Sequence, residues 1–320
     1  MESAIRLQQF KYFIASKLRR VFSAFGLVVV REKNFNLSRY GKSMPVSDEF
    51  LHIYSKIIMR DLFDTLDLCE LRATDKNRAA AEENFCDALK LFFKFWSVGP
   101  SQNRGGMELF SILRVIGLIF IKKPDVVIES GVNRGILGYY INKVFGSHIE
   151  LVGVDPSLAN CLDPKCYSQL YESKFEDVEE IIGKYAQIRT LFVFDDHQSQ
   201  LSRLKMVSAF KEPIVIFDDA LPLYSMWGDG APVIESARLM LQDEFQNSSD
   251  VELGKHCAWM YQGGHVEVPA EQICRARRLA EELRNEWRVA LCPGTGVSLG
   301  LYDTGSQILA GKIYKAETEY

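Results

Sequence analysis

Four aspartates and a histidine stand at the ends of two apolar runs. FVFDDHQ carries Asp195, Asp196 and His197, and IVIFDD carries Asp218 and Asp219. If the two runs are neighbouring parallel strands, their carboxyl ends lie side by side and the carboxylates converge on one rim. Like charges so close repel unless a cation neutralises them or protons stay bound. Oxygen-rich carboxylate sets suit magnesium, manganese or calcium. The plainer alternative is that each aspartate pair caps the helix after it and faces solvent.

A second constellation lies earlier in the chain. VIESGVNRGILGYY reads E-x-G-x-x-x-G through Glu129, Gly131 and Gly135. A glycine at 131 lets the backbone pass close to a ligand with no Cβ in the way. Gly135 lets the next helix start tightly, with its first N–H groups facing the cleft. Asp155 ends IELVGVD, 26 residues after Glu129, where an acid can accept hydrogen bonds from ribose hydroxyls. The spacing is not G-x-G-x-x-G, so a pyrophosphate fits poorly. The competing reading is an ordinary α/β domain with a glycine turn.

These residues need a scaffold that brings strand ends together. DVVIES, IELVGVD, TLFVFDD and EPIVIFDD are short apolar runs of the kind found in strands buried on both faces. ILGYYINKVF, FEDVEEIIGKYA and SQLSRLKMVSAF separate them with helical spacing. Strands alternating with helices predict a doubly wound, mostly parallel, Rossmann-like α/β sheet. A further strand is expected near residues 167–175. RVALCPGTGVSLGLYDT reads as two strands around a Gly/Pro turn, which gives the sheet an antiparallel C-terminal edge. In an open α/β sheet, ligands bind outside the carboxyl ends of the strands, where both constellations fall.

Residues 1–100 read as a helical N-terminal extension, and residues 101–320 as the α/β domain. ELFSILRVIGLIFIKK is an apolar helix expected to pack beneath the sheet. Phe10, Ile14, Leu18, Val21 and Phe25 recur at helical spacing among basic residues. Such a helix suits either an anionic membrane surface or the chain's own domain. Its charges exclude a spanning segment. A net charge of −4 gives no ground for bulk nucleic-acid binding. Seven scattered cysteines without a CxxC pair point to reduced thiols and a cytoplasmic setting.

The glycine turn followed by an acid-ended strand resembles the first motif of class I S-adenosylmethionine-dependent methyltransferases. That resemblance implies that Glu129, Gly131 and Gly135 contact the methionine end of the cofactor and that Asp155 binds its ribose. The two aspartate pairs resemble those of metal-dependent O-methyltransferases of the catechol and macrolide-sugar types. It implies Asp196, Asp218 and Asp219 as ligands of a divalent metal, magnesium foremost, with Asp195 as flank or support. His197 matches an Asp-His pair of the catechol type. The macrolide-sugar pattern separates Asp and His by two residues, so His197 stands as general base, cofactor-ring contact or support.

The expected activity is S-adenosylmethionine-dependent, metal-assisted methyl transfer to a hydroxyl of a small molecule, a sugar or glycoside foremost, since a diol can chelate the ion. Tyr224 and Trp227 are candidates for the wall of an acceptor pocket. The alternatives are a hydroxylase-like metal enzyme on the same scaffold and a non-catalytic relative that binds cofactor or a partner. An oligomer is compatible with all three.

Overall fold

The computed structural model describes residues 47–71, 75–96, 107, 109–218, 237–241, 257–261, 264–268, 270–292 and 307–312. Helices α1 (Asp48–Leu68), α2 (Asp75–Trp96) and α3 (Leu109–Lys122) precede the first strand. Then follow β1 (Val126–Ser130), α4 (Ile136–Phe145), β2 (Glu150–Asp155), β3 (Gln169–Glu172), α5 (Glu179–Tyr185), β4 (Thr190–Phe194), α6 (Gln200–Val207) and β5 (Ile214–Phe217). The C-terminal part holds α7 (Arg238–Leu241), β6 (Cys257–Tyr261), β7 (Gly264–Val268), α8 (Ala270–Leu283), β8 (Trp287–Leu291) and β9 (Ile308–Lys312).

Seven strands form one sheet in the order β3-β2-β1-β4-β5-β9-β8. The first five run parallel. β9 runs antiparallel to both β5 and β8, which makes the antiparallel C-terminal edge. The strand expected near 167–175 is β3. The first strand read in RVALCPGTGVSLGLYDT is β8, the second falls outside the described residues, and the strand that joins β5 is β9. β6 and β7 form a separate antiparallel hairpin that the sequence reading missed.

Side chains alternate across each strand of this sheet, so the sheet feeds two cores. Val127, Leu191, Val193, Ile216 and Leu309 face a layer built from α1, α2, α3 and α4. Ile128, Val152, Val154, Phe192, Phe194 and Phe217 face α5, α6 and α8. α3 is buried along nearly its whole length, as its composition demands. It stops where Lys123 turns left-handed (φ 48) before Pro124, which cannot continue a helix. α1 and α2 close over α3, and Tyr54, Ile58, Phe85, Leu89 and Phe92 share that core with the sheet. On the second face, Trp287 donates its indole N–H to Ser208 Oγ at 2.9 Å, fastening β8 to the end of α6.

The basic N-terminal helix expected within residues 1–30 lies outside the described residues. Among the described residues, no helix is long and apolar enough to cross a membrane.

Candidate functional site

The turn between β1 and α4 is folded by left-handed residues: Gly131 at φ 95, Asn133 at φ 44 and Gly135 at φ 70. A Cβ on Gly131 would sit 2.3 Å from the carbonyl oxygen of Asp195. The close approach that requires this glycine is therefore to the chain's own β4 end. Gly131 N–H donates to Val154 O at 2.9 Å, continuing the β1–β2 ladder into the turn. Gly135 N–H donates to Val132 O at 2.7 Å, and α4 begins one residue later.

Asp155, at the end of β2, ties itself to this turn. Its Oδ2 accepts from Asn133 N–H at 2.8 Å and its Oδ1 from Ser157 N–H at 2.8 Å. A carboxylate has about four lone-pair sites, so these two bonds leave it able to accept from hydroxyls of a ligand. The first two strand ends thus make one rigid corner with an acid on it.

Glu129 lies beneath that corner and is only 3% exposed. Tyr167 Oη donates to its Oε2 at 2.7 Å. Burial pushes the Glu129 carboxyl up to about 8, and the nearby Asp155 charge adds to this. Hydrogen bonds from Tyr167 and from the Gly138 backbone oppose it. Burial and the facing carboxyl hold the Tyr167 phenol well above its ordinary value. The ring fits because glycines line its slot. A Cβ on Gly138 would lie 2.2 Å from Tyr167, and one on Gly153 would lie 2.9 Å away. Sequence reasoning missed Tyr167. The signal was Gly138 inside an apolar helix, where glycine costs about 1 kcal/mol relative to alanine unless something packs there.

Among the described residues, the aspartates at the ends of β4 and β5 do not group into a metal site. β4 ends at Phe194, whose side chain faces α6, and Asp196 follows with the same parity. Asp196 Oδ2 accepts from Ser130 Oγ at 2.7 Å and from Arg203 Nε at 2.9 Å. Arg203 Nη2 stands 2.9 Å from the same oxygen, with the two side chains only 6% and 10% exposed. Oδ1 accepts from Gln198 N–H at 3.2 Å. Arg203 Nη1 reaches Glu176 Oε2 at 2.8 Å. Burial works to raise the Glu176 carboxyl, but the Arg203 hydrogen bond, a backbone hydrogen bond and the charges of Arg203 and Lys174 together hold it below the usual range.

His197 adopts φ 55, a left-handed conformation rare for a residue with a Cβ. Its Nε2 lies 3.8 Å from Asp195 Oδ1, and its side chain is 46% exposed. Asp218 is buried, and its N–H continues the β4–β5 ladder to Phe194 O at 2.9 Å. Asp219, Tyr224 and Trp227 lie outside the described residues. Among the described residues, no three His, Cys, Asp or Glu side chains stand together as a metal site. Asp196, the best-defined member of the expected ligand set, already has its charge balanced by a guanidinium. The described residues therefore do not fit the expected magnesium.

No protein-family model matches this chain, and no curated protein matches it. Solved structures do. The O-methyltransferase from Bacillus cereus, in complex with SAH, is 11% identical over 72% of this chain and 91% of that one, with a TM-score of 0.41. The SAH-bound Podospora anserina methyltransferase PaMTH1 is 9% identical over 71% and 88%, with a TM-score of 0.38. The O-methyltransferase TomG from Streptomyces achromogenes, involved in tomaymycin synthesis and in complex with SAM, is 13% identical over 72% and 90%, also at 0.38.

Proposed function

We propose that this chain is an S-adenosylmethionine-dependent O-methyltransferase acting on a hydroxyl of a small molecule, with a sugar or glycoside as the favoured acceptor class. The observation that carries the reading is the corner made by Asp155 and the glycine turn. An acid at the end of β2 is locked by backbone N–H groups, with acceptor capacity to spare for a pair of ribose hydroxyls. The donor set suits the cofactor's other end as well. Glu129, beneath the turn, is the carboxyl nearest in sequence to Gly131 and Gly135, and a cationic amino group is the kind of partner that would draw it into its ionised form.

Bound cofactor supplies an electrophilic methyl group on a sulfonium. The chain's own part is to orient that group and to receive a proton. In this reading His197 Nε2 takes the proton of the acceptor hydroxyl as the oxygen–methyl bond forms and the sulfur–methyl bond breaks. Asp195, 3.8 Å away, then faces an imidazolium it can stabilise. The left-handed backbone at His197 holds the ring out at the rim rather than in either core. Holding the hydroxyl and the methyl group in line could supply roughly 7–11 kcal/mol of the barrier reduction.

Magnesium assistance is not carried into this proposal, because Arg203 already neutralises Asp196. A hydroxylase-like alternative would need a redox metal on the same carboxylates and loses support for the same reason. Calorimetric titration with S-adenosylmethionine and S-adenosylhomocysteine tests the reading. Micromolar binding that weakens in Asp155→Ala is the expected result. No binding of either compound would overturn it.

A further inference from the structure

The rim holds one carboxylate whose surroundings are more complete than a strand-end aspartate needs. Asp196 Oδ2 receives the Ser130 hydroxyl and two nitrogens of one guanidinium. That guanidinium is itself built in. It bridges to Glu176 and lies over the rings of Phe175 at 5.3 Å and Phe194 at 5.7 Å. Arg203 comes from α6, Glu176 from the connection between β3 and α5, Ser130 from the end of β1 and Asp196 from the turn after β4. Four segments of the site's rim therefore meet through one buried ion pair.

We propose that Arg203 stands where a divalent ion would otherwise neutralise Asp196, and that Asp196 is a positioning residue rather than a metal ligand. The guanidinium carries a permanent charge and presents fixed donors to the carboxylate. A divalent ion on Asp196 would face that charge across a single carboxylate, in a place where neither side chain is screened by water. Swinging Arg203 aside would also break its contact with Glu176. Strand parity works in the same direction. Asp196 follows Phe194 on the α6 face, whereas Asp218 continues the parity of Ile214 and Ile216 toward the opposite layer.

What Asp196 does instead is visible in its remaining oxygen. Oδ1 accepts from Gln198 N–H and so closes the turn that contains His197. Ser199 Oγ then accepts from Ser202 N–H and caps α6, the helix that delivers Arg203. Guanidinium, carboxylate, turn and helix start form one closed loop of contacts that fixes where His197 stands. This inference bears on the methyl-transfer reading without depending on it.

Manganese titration of the full chain, read by electron paramagnetic resonance after removal of metals, tests it directly. Wild type and Asp196→Asn should bind Mn²⁺ alike, within about twofold, whether or not other groups hold an ion. A one-per-chain site in the wild type that weakens tenfold or more in Asp196→Asn overturns the proposal. Asp196→Asn can fail to fold, so a second variant is needed. Arg203→Met removes the cation and leaves the carboxylate. Its melting temperature should rise more with millimolar Mn²⁺ than that of the wild type, and the excess should vanish in Arg203→Met/Asp196→Asn. An Arg203→Met protein that melts at the same temperature with and without Mn²⁺ also overturns the proposal. Titration of the wild type with S-adenosylmethionine in EDTA separates the two readings. Failure to bind there refutes the cofactor reading and leaves the manganese result standing.

Discussion

Two buried carboxyls sit on opposite faces of the same sheet, near the ends of neighbouring strands, and each is neutralised differently. Glu129 lies on the α1–α4 side against a tyrosine and the backbone of α4, and burial pushes its carboxyl up so that it holds a proton until about pH 8. Asp196 lies on the α6 side against a guanidinium, 2.9 Å away in an ion pair. Burial of a lone charge is too costly for either to remain ionised without a partner. The first arrangement can change charge when a cationic ligand arrives. The second cannot, because its cation is part of the fold. One face of the rim is thus responsive and the other fixed.

The largest expected effect breaks the fixed side. Arg203→Met leaves Asp196 without its partner in a nearly dry place, and removing one member of a buried ion pair typically costs 3–5 kcal/mol, so we expect a loss of about that size. Urea unfolding of both proteins at neutral pH measures it. A loss under about 1 kcal/mol, the range of an exposed pair, would mean that Asp196 is not held as described and would erase the contrast between the faces.

The responsive side is sharpened by pH. Below the ordinary carboxylate range Glu129 is protonated in both folded and unfolded chains and contributes nothing to the pH dependence. Above about 4.5 the unfolded chain loses that proton while the folded chain holds it until about 8. The folded state binds more protons across that window, so its stability falls as pH rises through it, by about 5 kcal/mol, and levels off beyond. Glu129→Gln should remove this slope. Melting temperatures of the two proteins between pH 5 and 9, taken in about half-unit steps, check it. Parallel curves would show that Glu129 is ionised in the fold.

Tyr167→Phe gives a smaller effect on the same side. It deletes the 2.7 Å donor to Glu129 and leaves the ring in its glycine-lined slot. Loss of one buried hydrogen bond costs about 1–3 kcal/mol. That bond lowers the Glu129 value, so its removal should move the falling limb of the stability curve to higher pH. A limb that stays in place would mean that burial alone sets the carboxyl.

How far these two faces could be read from the sequence differs for a physical reason. The strands, their order of burial and the acid at each end were legible, because continuous apolar runs and terminal carboxylates are local patterns. Glu129, Gly131, Gly135 and Asp155 therefore fell at one rim as expected. Tyr167 and Arg203 were not legible. Tyr167 lies in an irregular connection. Arg203 occupies a polar position of SQLSRLKMV, where an arginine ordinarily faces water. Only the fold reveals that α6 turns that position inward against Phe194. Parity was available but unused: in FVFDD the alternation that buries Phe194 on the α6 side sends Asp196 there too. The β6–β7 hairpin had a signal as well, since CAWMYQGGHVEV sets a Gly-Gly pair between two apolar stretches.

The smallest effect concerns the corner between the faces. Asp155→Asn keeps the size of the side chain and one acceptor oxygen but removes the charge. Its two bonds are to exposed backbone N–H groups, so stability should change by only about 0.5–1.5 kcal/mol. The effect on ligand affinity should be of similar size, because an amide can still accept from one ribose hydroxyl but not from two. Calorimetry with S-adenosylhomocysteine, which lacks the sulfonium charge, isolates this contribution from long-range attraction. Unchanged affinity would move the ribose away from Asp155. A loss much larger than about 3 kcal/mol would exceed what a charged hydrogen bond supplies and would mean that the turn itself had come apart, with Asn133 released from its left-handed conformation.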